Sequence, residues 1–366
     1  MTADRPSTPG AVPGVDIFLL AGQFPGQSAR DALDNCVRYA LAAERAGFGG
    51  VWLAEHHFIR YGRCASAPAL AGYLLGRTCT IALGAAAAIL SNRHPVALAE
   101  EALLLDAVSG GRFRLGVARG GPWVDLEVFG TGLARYERGF PEALDVLLDA
   151  LGGKVAAAGE FFDFRPVDLG LSVGGGVAGA GAVRGTAGVA GVAGAGAVAR
   201  EGAVAREGAV ARAGGAPVWV AATSPGTVAL AAARGLPLLL GVHDDDLSKV
   251  ALLEYYRAAG GPDDAPHASA HLVGDPNLLR KSMPGWLAST ADYVRLVPGT
   301  GRDPAAYLEH LLAISPVGTA EECAARLRAS AAVTGVRRQL LLVEGAGAPS
   351  TVLATIESLG SLLSSN

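Results

Sequence analysis

Two adjacent imidazoles, His56 and His57, stand directly behind an apolar run at 50–54, with Glu55 before them and Phe58 after. An imidazole at the carboxyl end of a parallel strand can act as acid, base or hydrogen-bond donor near neutral pH. Neighbours on an extended segment point to opposite sides, so His56 is expected to enter a site while His57 turns toward a helix or a subunit interface. Glu55 can orient either ring, or be a buried acid with backbone partners. No third ligand follows at a spacing that would hold a metal.

The pattern of polar groups behind an apolar run recurs twice, in Ser91-Asn92-Arg93-His94-Pro95 and in the run from Ser109-Gly110-Gly111-Arg112-Phe113 to Ala118-Arg119-Gly120. His94 can cap the helix that Pro95 opens or reach a cofactor. Arg119 offers a planar, always-charged fork suited to a phosphate or an electron-rich ring edge, with Arg138 on the next helix a second candidate for the same anion. Farther along, Thr223-Ser224-Pro225-Gly226-Thr227 leads from a strand into a helix. The amides of that helix N-terminus and the Ser224 and Thr227 hydroxyls can cradle a phosphate monoester; capping the helix is the other role open to the same hydroxyls. Gly84 to Ala88 carry so little bulk that a flat ligand could lie against that strand end, although small residues also suit close packing inside a barrel.

Such groups need a scaffold that brings strand ends together. Short apolar runs alternate with helix-length segments, the pattern of repeated βα units. Strands are expected at 15–21, 50–54, 81–89, 112–118, 217–222, 236–240, 267–273 and 339–343, and helices at 29–46, 95–108 and 136–151. Eight βα units close into a (β/α)8 TIM barrel, an α/β fold whose active site lies at the carboxyl ends of its strands. Residues 1–14 read as a disordered polar tail, 15–345 as one barrel domain and 346–366 as a C-terminal helix.

Between 170 and 215 the composition collapses to Gly, Ala and Val, ending in hexapeptide repeats at 196–201, 202–207 and 208–213. Such a tract buries little area against the entropy of ordering it, and reads as a flexible insertion on the face away from the site. Its Gly174 to Gly179 stretch resembles a dinucleotide fingerprint but lacks the βαβ context. Residues 243–312 form a variable, loop-rich region in which Lys281, Trp286 and Tyr293 could cover the site, and Phe24, Phe58, Trp123 and Trp286 could shape a pocket. With 30 Lys+Arg against 34 Asp+Glu the chain has no basic footprint for a nucleic acid. The four cysteines lack zinc-site spacing, the start lacks a signal peptide, and no apolar run spans a bilayer, which together suggest a cytoplasmic enzyme of small molecules.

These motifs, with Phe129-Gly130-Thr131 and a late Ser315-Pro316-Val317-Gly318-Thr319 leading into Glu322-Cys323, resemble the bacterial luciferase-like family of flavin-dependent monooxygenases, its α-type subunits most of all. The resemblance implies reduced FMN at the barrel's C-terminal face and oxygenation of an organic substrate (hydroxylation, epoxidation or aldehyde oxidation) through a flavin C4a-peroxide. By position it gives His56 the supporting role in that chemistry and sets His57 nearer a subunit interface. Arg119, Ser224, Thr227 and, on a looser alignment, Arg138 would hold the phosphate. Ala86-Ala87 falls where the family has a non-proline cis peptide against the flavin ring. Ala118 replaces a reactive cysteine and Thr223 an acidic neighbour of the phosphate cradle, two departures that bear on light emission and aldehyde specificity. With no NAD(P)H site evident, FMNH2 would come from a separate reductase. The resemblance also implies a homodimer, through helices near 29–46 and 95–108. The Gly/Ala/Arg bias is compatible with secondary-metabolite tailoring, as in antibiotic biosynthesis. An F420-dependent oxidoreductase of the same superfamily and a non-catalytic flavin-binding subunit remain the alternatives.

Overall fold

Each of the eight expected apolar runs becomes a strand, and all eight pair in parallel in one closed barrel. The computed structural model describes residues 14–171, 218–292 and 303–364. In chain order its elements are β1 (Gly14–Leu19), α1 (Ala29–Arg45), β2 (Gly50–Leu53), α2 (Ala67–Leu75), β3 (Ala82–Ile89), α3 (Pro95–Ser109), β4 (Phe113–Ala118), α4 (Val124–Val128), α5 (Gly132–Arg138) and α6 (Phe140–Leu151). There follow β5 (Lys154–Ala158), β6 (Asp163–Asp168), β7 (Trp219–Ala221), α7 (Pro225–Ala232), β8 (Leu238–Leu240), α8 (Asp246–Ala258), β9 (Ala268–Leu272) and α9 (Pro276–Leu287). The last elements are α10 (Pro304–Ile314), α11 (Ala320–Thr334), β10 (Arg338–Leu342) and α12 (Pro349–Ser364). Around the barrel the strands run β1-β2-β3-β4-β7-β8-β9-β10 and back to β1.

Alternate residues of each strand face the two sides of the wall. Ile17, Val51, Leu83, Leu115 and Leu341 face outward into the layer shared with the helices. Trp52, Trp219, Leu239, Ala268, Ala270 and Leu340 fill the inside. Trp52 and Trp219 meet edge to face at 5.1 Å and plug the bore. The plug depends on Gly84, since a Cβ there would stand 2.5 Å from the Trp52 ring.

Three features differ from the sequence-based expectations. The helix expected at 136–151 is two helices that meet at Gly139, because Pro141 has no N–H with which to carry a helix through that point. A β5–β6 hairpin outside the barrel was not expected; its turn is held by the Glu142 carboxylate, which accepts the amides of Glu160, Phe161 and Phe162. The C-terminal helix begins at Pro349 rather than at 346, after a short 3-10 turn over Glu344–Ala346 and Gly347 at φ +74°. Gly14, the last residue of the expected tail, opens β1; the rest of the tail, the Gly/Ala insertion from 172 on, with Gly174 to Gly179, and Tyr293 lie outside the described residues. Among the described residues no helix is long and apolar enough to cross a membrane.

Candidate active site at the barrel mouth

Four neighbouring strands, β2, β3, β4 and β7, bring the predicted groups to one sector of the mouth. Leu53 of β2 pairs with Ala85 of β3, and Val117 of β4 with Val220 of β7. Continuing each strand sets His56 beyond β2, Ala86 and Ala87 within β3, Arg119 just past β4 and Thr223 just past β7. Segments far apart in sequence therefore share one rim.

His56 is tied by its backbone amide to the Cys64 carbonyl (2.9 Å), and its ring stands edge-on to Tyr61 at 5.3 Å. Its Nδ1 is buried and has no hydrogen-bond partner among the described residues. Burial, and then the neighbouring His57, lower its pKa to about 4 against the partial opposition of Glu55, so the ring is neutral at physiological pH. Gly62 packs against it so closely that a Cβ would lie 2.5 Å from Nδ1.

His57 is buried and turns the other way, edge-on to Phe129 at 5.0 Å with Nε2 3.6 Å from Glu55 Oε1. Glu55 proves to be a buried acid with backbone partners. It accepts the amides of Ala67 and Ile89, each at 3.0 Å, and Arg93 Nη2 reaches both its oxygens at 2.9 Å. Burial alone would raise its pKa; contact with His57, the Arg93 charge and the two amides together bring it below the usual value. His94 is a helix cap, with Nδ1 accepting the Val96 amide at 3.2 Å.

Between β3 and β4 the register slips from Ala85–Leu115 to Ala88–Val117, and the Ala86–Ala87 peptide within this slip is cis, at the position the resemblance indicated. Ala86, Ala87, Ala118 and Ala221 leave the wall here almost without side chains. Arg119 lies over the Tyr136 ring, with its guanidinium carbon 4.6 Å from the centroid. Ser224 caps α7 from an extended backbone but gives the helix no side-chain cap bond; its Oγ lies 3.2 Å from Thr227 Oγ1. A Cβ at Gly226 would meet nothing within 4 Å, so this helix end opens onto free space. Thr223 is exposed beside it. Arg138 does not join the group by any contact seen here: it is exposed and paired with Glu160.

Several contacts at the mouth were not anticipated. Asn92 Nδ2 donates to Asp125 Oδ2 at 2.5 Å, while Ser91 Oγ, Asn92 Oδ1 and Asp125 Oδ1 are buried without partners among the described residues. The Glu344 carboxylate accepts the amides of Leu20 and Gly22 beyond β1, and burial raises its pKa to about 7 against those amide bonds. Glu344 follows a strand just as Glu55 does, so the same sequence signal could have found it. Trp286 is wholly buried, stacked between Phe24 and Tyr61 at 4.9 Å from each, with Nε1 donating to the Tyr61 carbonyl at 2.9 Å. Lys281 and Phe58 are exposed.

The family model described as "Luciferase-like monooxygenase" matches residues 14–273. The chain belongs to the luciferase-like monooxygenases. It is 25% identical over 373 residues to an alkanal monooxygenase alpha chain of the Kryptophanaron alfredi symbiont, covering 93% of this luciferase-like monooxygenase and 94% of that relative. Among solved structures, monooxygenase RslO1 from Streptomyces bottropensis superposes with a TM-score of 0.70 at 19% identity, over 95% of this chain and 97% of that one. The oxygenating constituent of 3,6-diketocamphane monooxygenase from Pseudomonas putida, solved with FMN, gives 0.68 at 17% identity over 97% and 98%. At these identities the two structures speak for the fold.

Proposed function

We propose that this luciferase-like monooxygenase binds FMNH2 delivered by a separate reductase and uses O2 to oxygenate a small organic molecule. What carries the reading is the shared sector of the mouth. A helix N-terminus at Ser224 without a side-chain cap bond, a wall of alanines and a neutral His56 stand on adjacent strands.

The residues fit the cofactor. The α7 amides, Ser224 Oγ and Thr227 Oγ1 would receive the phosphate, with Thr223 and Arg119 at its edge, and a helix N-terminus favours such an anion without a metal. Ala86 and Ala87, with Ala118 opposite, leave room for a flat ring. The reduced flavin, when bound, supplies the electrons that activate O2. The His56 ring, neutral through the physiological range, would hold or accept a hydrogen bond beside the reacting atoms and take up a proton only in passing, since burial disfavours its charged form. Tyr61 and Trp286 form an aromatic wall that keeps water from His56.

The substrate class we favour is a secondary metabolite, in keeping with the composition bias and with an alanine at 118. We place the enzyme in the cytoplasm as a homodimer. Tyr73 on α2 and Leu104 and Val108 on α3 are at least half exposed and give that dimer an apolar face, whereas α1 packs along α12.

Anaerobic titration with FMNH2 and with reduced F420 decides the cofactor, and rapid mixing with oxygenated buffer tests the chemistry. Tight FMNH2 binding weakened by Ser224→Ala/Thr227→Ala, with reoxidation slower than for free flavin and accelerated by His56→Ala, is the expected result. Binding of F420 alone would replace the monooxygenase mechanism with hydride transfer. Reoxidation at the free-flavin rate despite tight binding would leave a flavin carrier without turnover.

A further inference from the structure

The opposite end of the barrel holds a second built concavity. It is a cavity of about 320 Å³ at the amino ends of the strands, lined by Asp16, Arg114 and Arg338 and walled by the 46–49 turn and Gly360 of α12. The Trp52–Trp219 plug separates it from the mouth.

Its polar groups are unevenly matched. Asp16 Oδ2 accepts three donors: Trp52 Nε1 at 2.8 Å, Arg114 Nη1 at 2.9 Å and Arg338 Nη1 at 2.6 Å. Asp16 is completely buried, yet Oδ1 has no partner among the described residues; it lies beside Gly49 on the cavity wall, where a Cβ would be 3.1 Å away. Two guanidiniums face one carboxylate, so the floor is net positive, and each arginine gives Asp16 one of its five N–H groups. The side chains of Arg114 and Arg338 remain 20% and 28% exposed, which leaves their other donors within reach of a ligand.

We propose that this floor binds a small oxyanion that carries its own O–H, of which phosphate near neutral pH is the simplest. Arg114 and Arg338 donate to the anionic oxygens, and the O–H donates to Asp16 Oδ1. A fully deprotonated oxyanion of the same shape, such as sulfate, puts a bare lone pair against the buried carboxylate and is rejected, because an unpaired buried acceptor is costly. The cavity is large enough for a tetrahedral anion together with ordered water.

The test is isothermal titration of the full chain with phosphate and with sulfate at equal ionic strength and pH 7. Arg119→Gln/Ser224→Ala is run alongside to weaken the anion groups at the mouth. Phosphate is expected to bind this double variant with wild-type affinity, and sulfate at least roughly tenfold more weakly. Arg338→Gln is expected to weaken phosphate by a similar factor. Asp16→Asn, which offers an N–H in place of the lone pair, should shift the preference toward sulfate. Equal affinity for the two anions in the double variant, or no phosphate binding there, overturns the proposal, and neither outcome depends on a floor variant folding. So does wild-type phosphate affinity in a folded Arg338→Gln.

Discussion

Glu55 divides its two oxygens among groups that lie 12, 34 and 38 residues along the chain, tying the end of β2 to the start of α2, the end of β3 and Arg93. Removing one partner of a buried, hydrogen-bonded ion pair leaves the other charge uncompensated. Glu55→Ala is therefore expected to lower the free energy of unfolding by about 3–5 kcal/mol in urea titrations. Glu55→Gln, which keeps one acceptor oxygen, should cost less. The adjacent His56 makes a prediction in pH. Its folded pKa of about 4 lies below the ordinary 6.5, so the unfolded chain takes up that proton first. The stability tied to the neutral ring is intact above pH 6.5 and falls away as the pH drops toward 4. His267 and His271, lowered to about 4 and about 3, act in the same direction. Melting curves from pH 7 to 4 should accordingly fall less steeply for His56→Gln than for wild type; equal slopes would mean that the ring is protonated in the fold. The place of His56 at the end of β2 could be read locally, from an imidazole just behind an apolar run. That Glu55 could be a buried acid with backbone partners was legible too; which segments it ties together was not, because its partners are set by strand register.

At the scale of elements, all eight barrel strands were legible because each is an apolar run closed off by glycine, proline or polar residues. The β5–β6 hairpin was not: Lys154–Ala158 covers only Val155 fully and Ala157 in part, too little apolar surface to stand out as a strand, and what fixes the turn is a carboxylate from α6. The break between α5 and α6 was visible in principle, since Gly139 and Pro141 are both in the sequence, but the apolar periodicity of α6 masked it. Trp286 continues the buried stripe of Leu279, Met283 and Leu287 along α9, a helical spacing that the sequence does show, but its depth comes from two aromatic faces on other loops that the spacing does not reveal. It joins α9 to the loop that carries Tyr61 and so to the loop beside His56. Trp286→Ala should cost about 3–5 kcal/mol and speed amide exchange both in α9 and at residues 59–63. Trp286→Phe retains the stacking but loses the bond to the Tyr61 carbonyl, a cost of about 1 kcal/mol. Exchange that rises in α9 alone would show that the stack does not couple the two segments.

The molecule as a whole exists only when its last strand finds its first. β10 pairs with β1 over five residues, from Gly14–Arg338 to Phe18–Leu342, and just beyond that ladder the Glu344 carboxylate receives the Leu20 and Gly22 amides. The closing joint of the barrel thus carries a buried acid whose pKa is raised from 4.5 to about 7, chiefly by burial. A carboxyl raised in this way holds its proton in the fold after the unfolded chain has released it. Stability therefore falls as the pH climbs from about 4.5 to about 7, opposite in sign to the histidines. A shift of this size corresponds to on the order of 3 kcal/mol over the full range. Glu344→Gln cannot ionise, and its amide nitrogen cannot accept either backbone N–H, so it should carry a constant penalty of about 1–3 kcal/mol together with a flatter profile. Urea unfolding at pH 5, 6, 7 and 8 measures both terms: the histidine contributions are common to the two proteins and cancel in the difference. The variant's deficit is expected to shrink steadily from pH 5 to pH 8. A deficit that stays constant or grows with pH would mean that the acid at the joint is already ionised at pH 5 and that its charge helps to hold the barrel shut.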